Sequence, residues 1–322
     1  MKAKWIRITI GRKIDNWLES ITDATLRSEL KENVVVTGGC IVSMLLGEKV
    51  HDFDIYLRNA DCAEKLAKYY LDKFKENPPP RFANGGGVQM TVKRDGDRVK
   101  LVVKSAGVAG ESSGDVDYNY FEGVPGDEES SAYVDEALYS VDSESEIVRA
   151  AEAAEKIAND TKANGKGKYR PTFLSANAIT LSDGVQIVLR FSGDPEVIHS
   201  TYDFVHCTCY WESKTRSLTL PPAALEAILA RDLRYMGQSR YPVCAMIRTR
   251  KFLTRGWRIT AGQYLKIAWD IAKLDLSDYD VLEDQLTGVD SAYFYQLIEE
   301  LKKRNADTVD GTYLMEIIDK IF

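Results

Sequence analysis

Asp52-Phe53-Asp54 places two carboxylates one residue apart in a run with strand character. Side chains alternate along a strand, so both acids point the same way. Two such charges repel unless a cation lies between them. A hard divalent ion held by one or two carboxylates and by substrate phosphates meets that need. Upstream, Gly38-Gly39 opens the apolar run Cys40-Ile41-Val42-Ser43-Met44-Leu45-Leu46, which Gly47 closes. A glycine pair at a helix N-terminus lets backbone amides approach a phosphate. Together the two halves point to phosphoryl-group chemistry, with Mg²⁺ (or Mn²⁺) as cofactor and a nucleoside triphosphate as substrate.

Nucleotidyl transfer, in which a hydroxyl attacks the α-phosphorus and pyrophosphate leaves, uses two metal ions and two or three carboxylates on neighbouring strands. Asp52 and Asp54 supply two as catalytic metal ligands. Asp203, within Ser200-Thr201-Tyr202-Asp203-Phe204-Val205-His206, is the candidate third, since a charge among aromatic and β-branched residues needs a partner. Gly38, Gly39, Ser43, Arg248 and Lys251 are candidate nucleotide contacts. Arg248, Lys251 and Arg255 share a helix face by their three- and four-residue spacing. Arg250, Arg255 and Arg258 extend the basic set toward an RNA backbone. Tyr235, Tyr241 and Trp257 could stack a base but read better as core or rim. His206, Cys207 and Cys209 lack the second pair that a structural zinc site requires and read as buried residues.

The run Gly38-Gly39, Leu45-Leu46-Gly47 and Asp52-x-Asp54 resembles, without a gap, the head-domain signature of CCA-adding enzymes and bacterial poly(A) polymerases, within the DNA polymerase β nucleotidyltransferase superfamily. Weaker echoes follow at Ser175-Ala176-Asn177-Ala178-Ile179 and, after a one-residue shift, at Pro242, Arg248 and Phe252. The resemblance implies transfer of NMP from an NTP to an RNA 3′ end, tRNA-like, by a cytoplasmic enzyme. The departures are specific. Val42-Ser43 stands where the family has Arg-Asp, and Thr172-Phe173 replaces a second Arg-Asp. Glu283-Asp284 is followed by Thr287 where the base-selecting set has Arg. The resemblance therefore implies the chemistry and leaves nucleotide and acceptor open. One rival is a toxin- or defence-type nucleotidyltransferase that modifies tRNA or protein. The other is a non-catalytic RNA- or protein-binding module on the same fold.

The elements that must position these residues follow from pattern and composition. The chain has 322 residues, is 44% hydrophobic and 28% charged, and carries a net charge of −7. Those values suit a globular protein of about two domains. No run approaches the roughly 20 apolar residues of a membrane span, and no signal core opens the chain. Five scattered cysteines argue against a disulfide framework and for reduced, cytosolic thiols. The charge is uneven: Val108 to Ile147 holds twelve acids and no Lys or Arg, whereas Arg231 to Arg258 holds eight basic residues and one acid. A local basic segment, rather than the net charge, is what binds a polyanion.

Hydrophobic periodicity predicts a helix over 13–32, a short strand at 34–37, a helix at 41–46, a strand at 53–57 and a helix at 61–74. A hairpin is expected around Asp95-Gly96-Asp97, then an acidic insertion over about 105–168 that includes a helix at 144–159. Strands are expected at 172–181, 185–191 and 202–211. Helices follow at 195–200, 221–236, 241–255, 261–274, 290–304 and 311–321. The expected fold is α/β (α+β): a palm-like mixed sheet in a catalytic domain over 1–215, then a helical domain over 216–322.

Overall fold

Asp23 accounts for the first departure from the periodic pattern. Its carboxylate accepts hydrogen bonds from Thr25 N–H (2.9 Å) and Leu26 N–H (3.0 Å), so it starts a new helix where one continuous helix was expected. The computed structural model, which describes residues 2–76, 89–104, 168–174, 177–237 and 239–286, therefore has helix α1 at Ala3–Glu19 and α2 at Ala24–Asn33. Strand β1 is Val34–Thr37, α3 is Gly39–Leu46, β2 is Phe53–Leu57 and α4 is Ala60–Glu76. The hairpin β3 (Gln89–Asp95) and β4 (Arg98–Lys104) follows. The expected strand 172–181 is two antiparallel strands, β5 (Pro171–Leu174) and β6 (Ala178–Leu181), and β7 is Val185–Ser192. The acidic insertion, its helix, the proline run at 78–80, and the helices expected at 290–304 and 311–321 lie outside the described residues.

The expected strand 202–211 is the second departure. Residues Val205–Thr208 form a turn of 3₁₀ helix, and only Tyr210–Glu212 is a strand, β8. The chain continues through β9 (Ser217–Thr219) to α6 (Pro222–Ala230), α7 (Pro242–Thr254), α8 (Ala261–Ile271) and α9 (Tyr279–Leu286); α5 is the short Pro195–His199. The helix expected over 221–236 stops at Ala230 because Arg231 takes a left-handed conformation, φ 50°. None of the described helices is long and apolar enough to cross a membrane.

Two compact units result, one formed by 1–195 with 209–219, the other by 196–208 with 220–322. The first holds a seven-stranded mixed sheet in the order β5-β6-β7-β2-β1-β8-β9, in which β2 and β7 are the parallel pair. The fold is thus mixed α/β with helices following the sheet, the class expected from the sequence. Val36, Ile55, Ile187, Ile179 and Trp211 are fully buried on one face. Helix α1 covers that face: a Cβ on Gly11 would lie 3.8 Å from the Trp211 ring, and Lys13 Nζ sits 5.3 Å over the Phe53 ring. Helix α4 packs beside α1, where Trp17 Nε1–H donates to the Tyr70 hydroxyl at 2.8 Å. Its buried residues Ala63, Leu66, Ala67, Tyr70, Leu71 and Phe74 recur at helical spacing.

In the second unit, His206 is fully buried against Trp257 (4.3 Å between ring centroids), Phe252 (4.7 Å) and Phe204 (5.8 Å). Neither imidazole nitrogen has a hydrogen-bond partner among the described residues. Burial pushes its pKa down to about 3. The unfolded chain, with an ordinary histidine near 6.5, therefore takes up a proton that the folded chain refuses. Stability from this site is complete above about pH 6.5 and falls as the pH drops toward 3, by roughly 1.4 kcal/mol per pH unit. His206→Phe keeps an aromatic ring there, and urea melts at pH 7, 6, 5 and 4 should show a visibly flatter acid limb than the parent.

Candidate functional site

The glycine turn and the aspartates meet at one end of the sheet because β1 and β2 are antiparallel neighbours. Val36 pairs with Ile55, so the same register carried one step on brings Thr37 beside Asp54. Gly38 follows with φ 89° and ψ −143°, a conformation that strains any residue with a Cβ. It lets the chain leave the buried strand and enter α3, whose first residue is the exposed Gly39. Among the described residues, a Cβ on Gly39 would meet nothing within 4 Å beyond its own chain neighbours and helix backbone, so these residues leave space at this helix N-terminus. Ser43, four residues on, lies on the Gly39 side of α3 and is half-buried. Gly47, at φ 72°, ends the helix as a left-handed cap.

Asp54 occupies β2 and is half-buried between Phe53 and Ile55, both buried on the helix-covered face. Asp52 is exposed immediately before the strand. The register of this run is fixed by Phe53 N–H, which donates to Gly184 O at 2.9 Å. Gly184, at φ 59°, sits so close to the chain that a Cβ there would lie 2.8 Å from His51 O. Lys13 on α1 donates to the Asp183 carbonyl and holds the same turn from the other side. Burial, and next to it the Asp54 carboxylate, push the Cys40 thiol well above its ordinary range, so this cysteine stays a neutral packing group at the base of α3.

The ladder also places residues that the motif did not reveal. Gln186 on β7 is in register with Asp54, Thr180 on β6 pairs with Gln186, and Tyr210 on β8 pairs with Thr37. Registered partners project to one side of a sheet. Thr180, Gln186, Asp54, Thr37 and Tyr210 therefore form a polar row on the face opposite α1. Only the alternation Val185-Gln186-Ile187 hinted at this, and it does not say which strand lies beside β2.

Asp203 and the basic residues belong to the second unit. The Asp203 carboxylate accepts from Ser239 Oγ (2.6 Å) and pairs with the Arg248 guanidinium. Its side chain is 7% exposed, and Arg248's is 37% exposed. The structure thus brings together two residues that the sequence reading gave to metal and to triphosphate. Asp203→Asn would leave Arg248 facing a neutral group in a mostly buried pair. It is expected to lower the melting temperature by roughly 2–4 °C or more, read by differential scanning fluorimetry. Arg250, Lys251, Arg255 and Arg258 are exposed on or just after α7. Arg258 pairs with Asp232, and the Arg255 carbonyl accepts from Arg231 at 3.0 Å. Tyr235, Tyr241 and Trp257 are buried and serve the core of this unit.

The donor set at Asp52 and Asp54 suits a metal shared with a ligand. Among the described residues no group of three or more His, Cys, Asp or Glu side chains could hold an ion by itself. Two carboxylates, with no third acid grouped with them among the described residues, fit Mg²⁺, which keeps open positions for water and phosphate oxygens.

Residues 9–231 match the model of the Gabija anti-defense 2 family, and the chain belongs to that family. One relative is Gabija anti-defense 2 of Bacillus phage SPbetaL7, 27% identical over 135 residues. That match takes in 42% of this chain and 32% of the phage protein, so the chain spans about a third of that relative's length. Among solved structures, a CCA-adding enzyme from Thermotoga maritima complexed with tRNA is similar over 81% of this chain and 45% of its own, with a TM-score of 0.38 and 11% identity.

Proposed function

We propose that the chain is a divalent-metal-dependent nucleotidyltransferase. The observation that carries this reading is the convergence of the Gly38-Gly39 turn and the Asp52/Asp54 pair at one end of the sheet, with Asp54 on the face free of α1. Backbone amides at the start of α3 would receive triphosphate oxygens, favoured by the positive end of the helix dipole. Asp52 and Asp54 would hold Mg²⁺ or Mn²⁺. When bound, that ion would offset the charge of the triphosphate and lower the pKa of the attacking hydroxyl. Gly184 and Lys13 keep the two carboxylates in place by fixing the turn against residues 51–53. The exposed basic residues Arg250, Lys251 and Arg255 suit the phosphates of an RNA acceptor.

The family favours a second acceptor. The phage relative is named for action against the Gabija defence system, which supports transfer of NMP to a macromolecule of that defence. Both readings share one test. Purified protein is incubated with Mg²⁺ and each α-labelled NTP, once with total RNA and once with lysate from cells that carry Gabija. Label that is sensitive to ribonuclease supports an RNA 3′ end. Label that is sensitive to protease and appears only in the Gabija lysate supports the defence target. No label in either, with a folded protein, would overturn nucleotidyl transfer.

A further inference from the structure

We infer that Gln186 sets the charge of this site, so that Asp52 and Asp54 hold a divalent cation only jointly with a nucleoside triphosphate. The inference rests on the nucleotidyltransferase reading and deepens it. Gln186 is the registered partner of Asp54 on the parallel strand β7, so its side chain stands beside the Asp54 carboxylate on the same face. A third acid on a strand next to β2 would occupy this position. A carboxamide occupies it, with the same reach and no charge.

The other described residues registered beside it are neutral as well. Thr180 flanks Gln186 on the far side, and Thr37 and Tyr210 lie across β1 and β8. The acid on this face at the other end of the sheet, Glu212, is committed to Arg58, which also binds Asp194. Asp183, in the turn before β7, accepts from Tyr169 N–H at 3.1 Å and from Ser182 Oγ at 3.0 Å. The Gln186 backbone belongs to the ladder, whereas its half-buried side chain makes no hydrogen bond to a described residue, so its amide can serve a ligand. Among the described residues, two carboxylates and three neutral polar neighbours are a poor trap for a hydrated cation alone. Affinity for hard cations rises with the number of charged oxygens. Phosphate oxygens of the incoming nucleotide supply the missing charge, so nucleotide and metal enter as one unit. Gln186 then lies where it can donate to a phosphate or acceptor oxygen, which a glutamate could not do.

Mn²⁺ binding followed by water-proton relaxation enhancement tests this on the full chain. The parent protein should show little enhancement with Mn²⁺ alone and strong enhancement once a non-hydrolysable NTP analogue is added. Gln186→Glu should bind Mn²⁺ without nucleotide roughly tenfold or more tightly than the parent, and Gln186→Ala should not. Gln186→Asp serves as a second acidic variant, and thermal melting checks that each is folded. Tight Mn²⁺ binding by the parent without nucleotide would overturn the inference. So would folded acidic variants that gain nothing while parent, metal and analogue still form a ternary complex; nucleotidyl transfer would survive either result. A parent that binds neither metal nor analogue would overturn the functional reading itself.

Discussion

Asp54→Ala is expected to reduce NMP transfer by about a thousandfold or more while moving the melting temperature by less than about 2 °C. The size of the first effect follows from what the carboxylate does. With two carboxylates at the site among the described residues, loss of one removes half of the charge they would place on the cation. The small second effect follows from position. Asp54 lies at the end of β2, half-buried on the face opposite α1, whereas the packing of this strand is carried by Phe53, Ile55 and Leu57 on the covered face. Asp54→Asn keeps the shape and removes the charge, so it should match alanine in activity. Single-turnover assays with labelled NTP and matched melting curves measure both quantities. A variant that transfers NMP at the parental rate would remove the mechanism. A variant that unfolds would show that Asp54 holds the sheet.

Asp52→Ala should act in the same direction with less change in stability, because Asp52 is exposed before the strand begins. The comparison separates metal holding from local folding. If both alanine variants lose transfer and keep the parental melting curve, the pair works as one cation site.

Legibility divided along physical lines. Short-range chemistry was readable: the Gly38-Gly39 break, the Gly47 cap and the alternation of residues 53–57 all stand in the structure where spacing placed them. These signals depend only on neighbours along the chain. The split of the first helix is hidden from periodicity, which runs on through Ile21 and Leu26, because the break comes from the Asp23 side chain capping a new helix. The strand expected over 202–211 failed for another reason. Alternating apolar residues there pack as an aromatic cluster around a 3₁₀ turn, and periodicity does not distinguish the two burials. Likewise Asp203 carried the right signal, a buried acid in need of a partner. The partner, Arg248, lies 45 residues away, and no local pattern names it. Gln186 was invisible for the same reason, since only the parallel pairing of β2 with β7 gives that residue its neighbour.

The two adjacent glycines should separate cleanly under mutation, although the sequence treats them as a pair. Gly38→Ala forces a Cβ onto a backbone at φ 89° and ψ −143°, a region that L-residues avoid. The cost is expected at about 1–3 kcal/mol or more, seen as a lower midpoint in chemical denaturation with an unchanged slope. Relief would require the β1-to-α3 turn to move, so nucleotide affinity should fall together with stability. Gly39→Ala meets neither problem. Gly39 is the first residue of α3, outside the positive-φ set, and a Cβ there meets no described atom within 4 Å apart from its chain neighbours and its own helix backbone. Stability should hold or rise by up to about 1 kcal/mol, because alanine restricts the unfolded chain. The methyl group nevertheless projects into the open space at the helix N-terminus, where phosphate oxygens would approach the amides. Equilibrium binding of an NTP analogue should therefore weaken by roughly tenfold in a protein that melts at or above the parental temperature. Unchanged binding in Gly39→Ala would place the triphosphate away from this turn, since a merely structural glycine pair predicts loss of stability at Gly38 and no binding effect at Gly39.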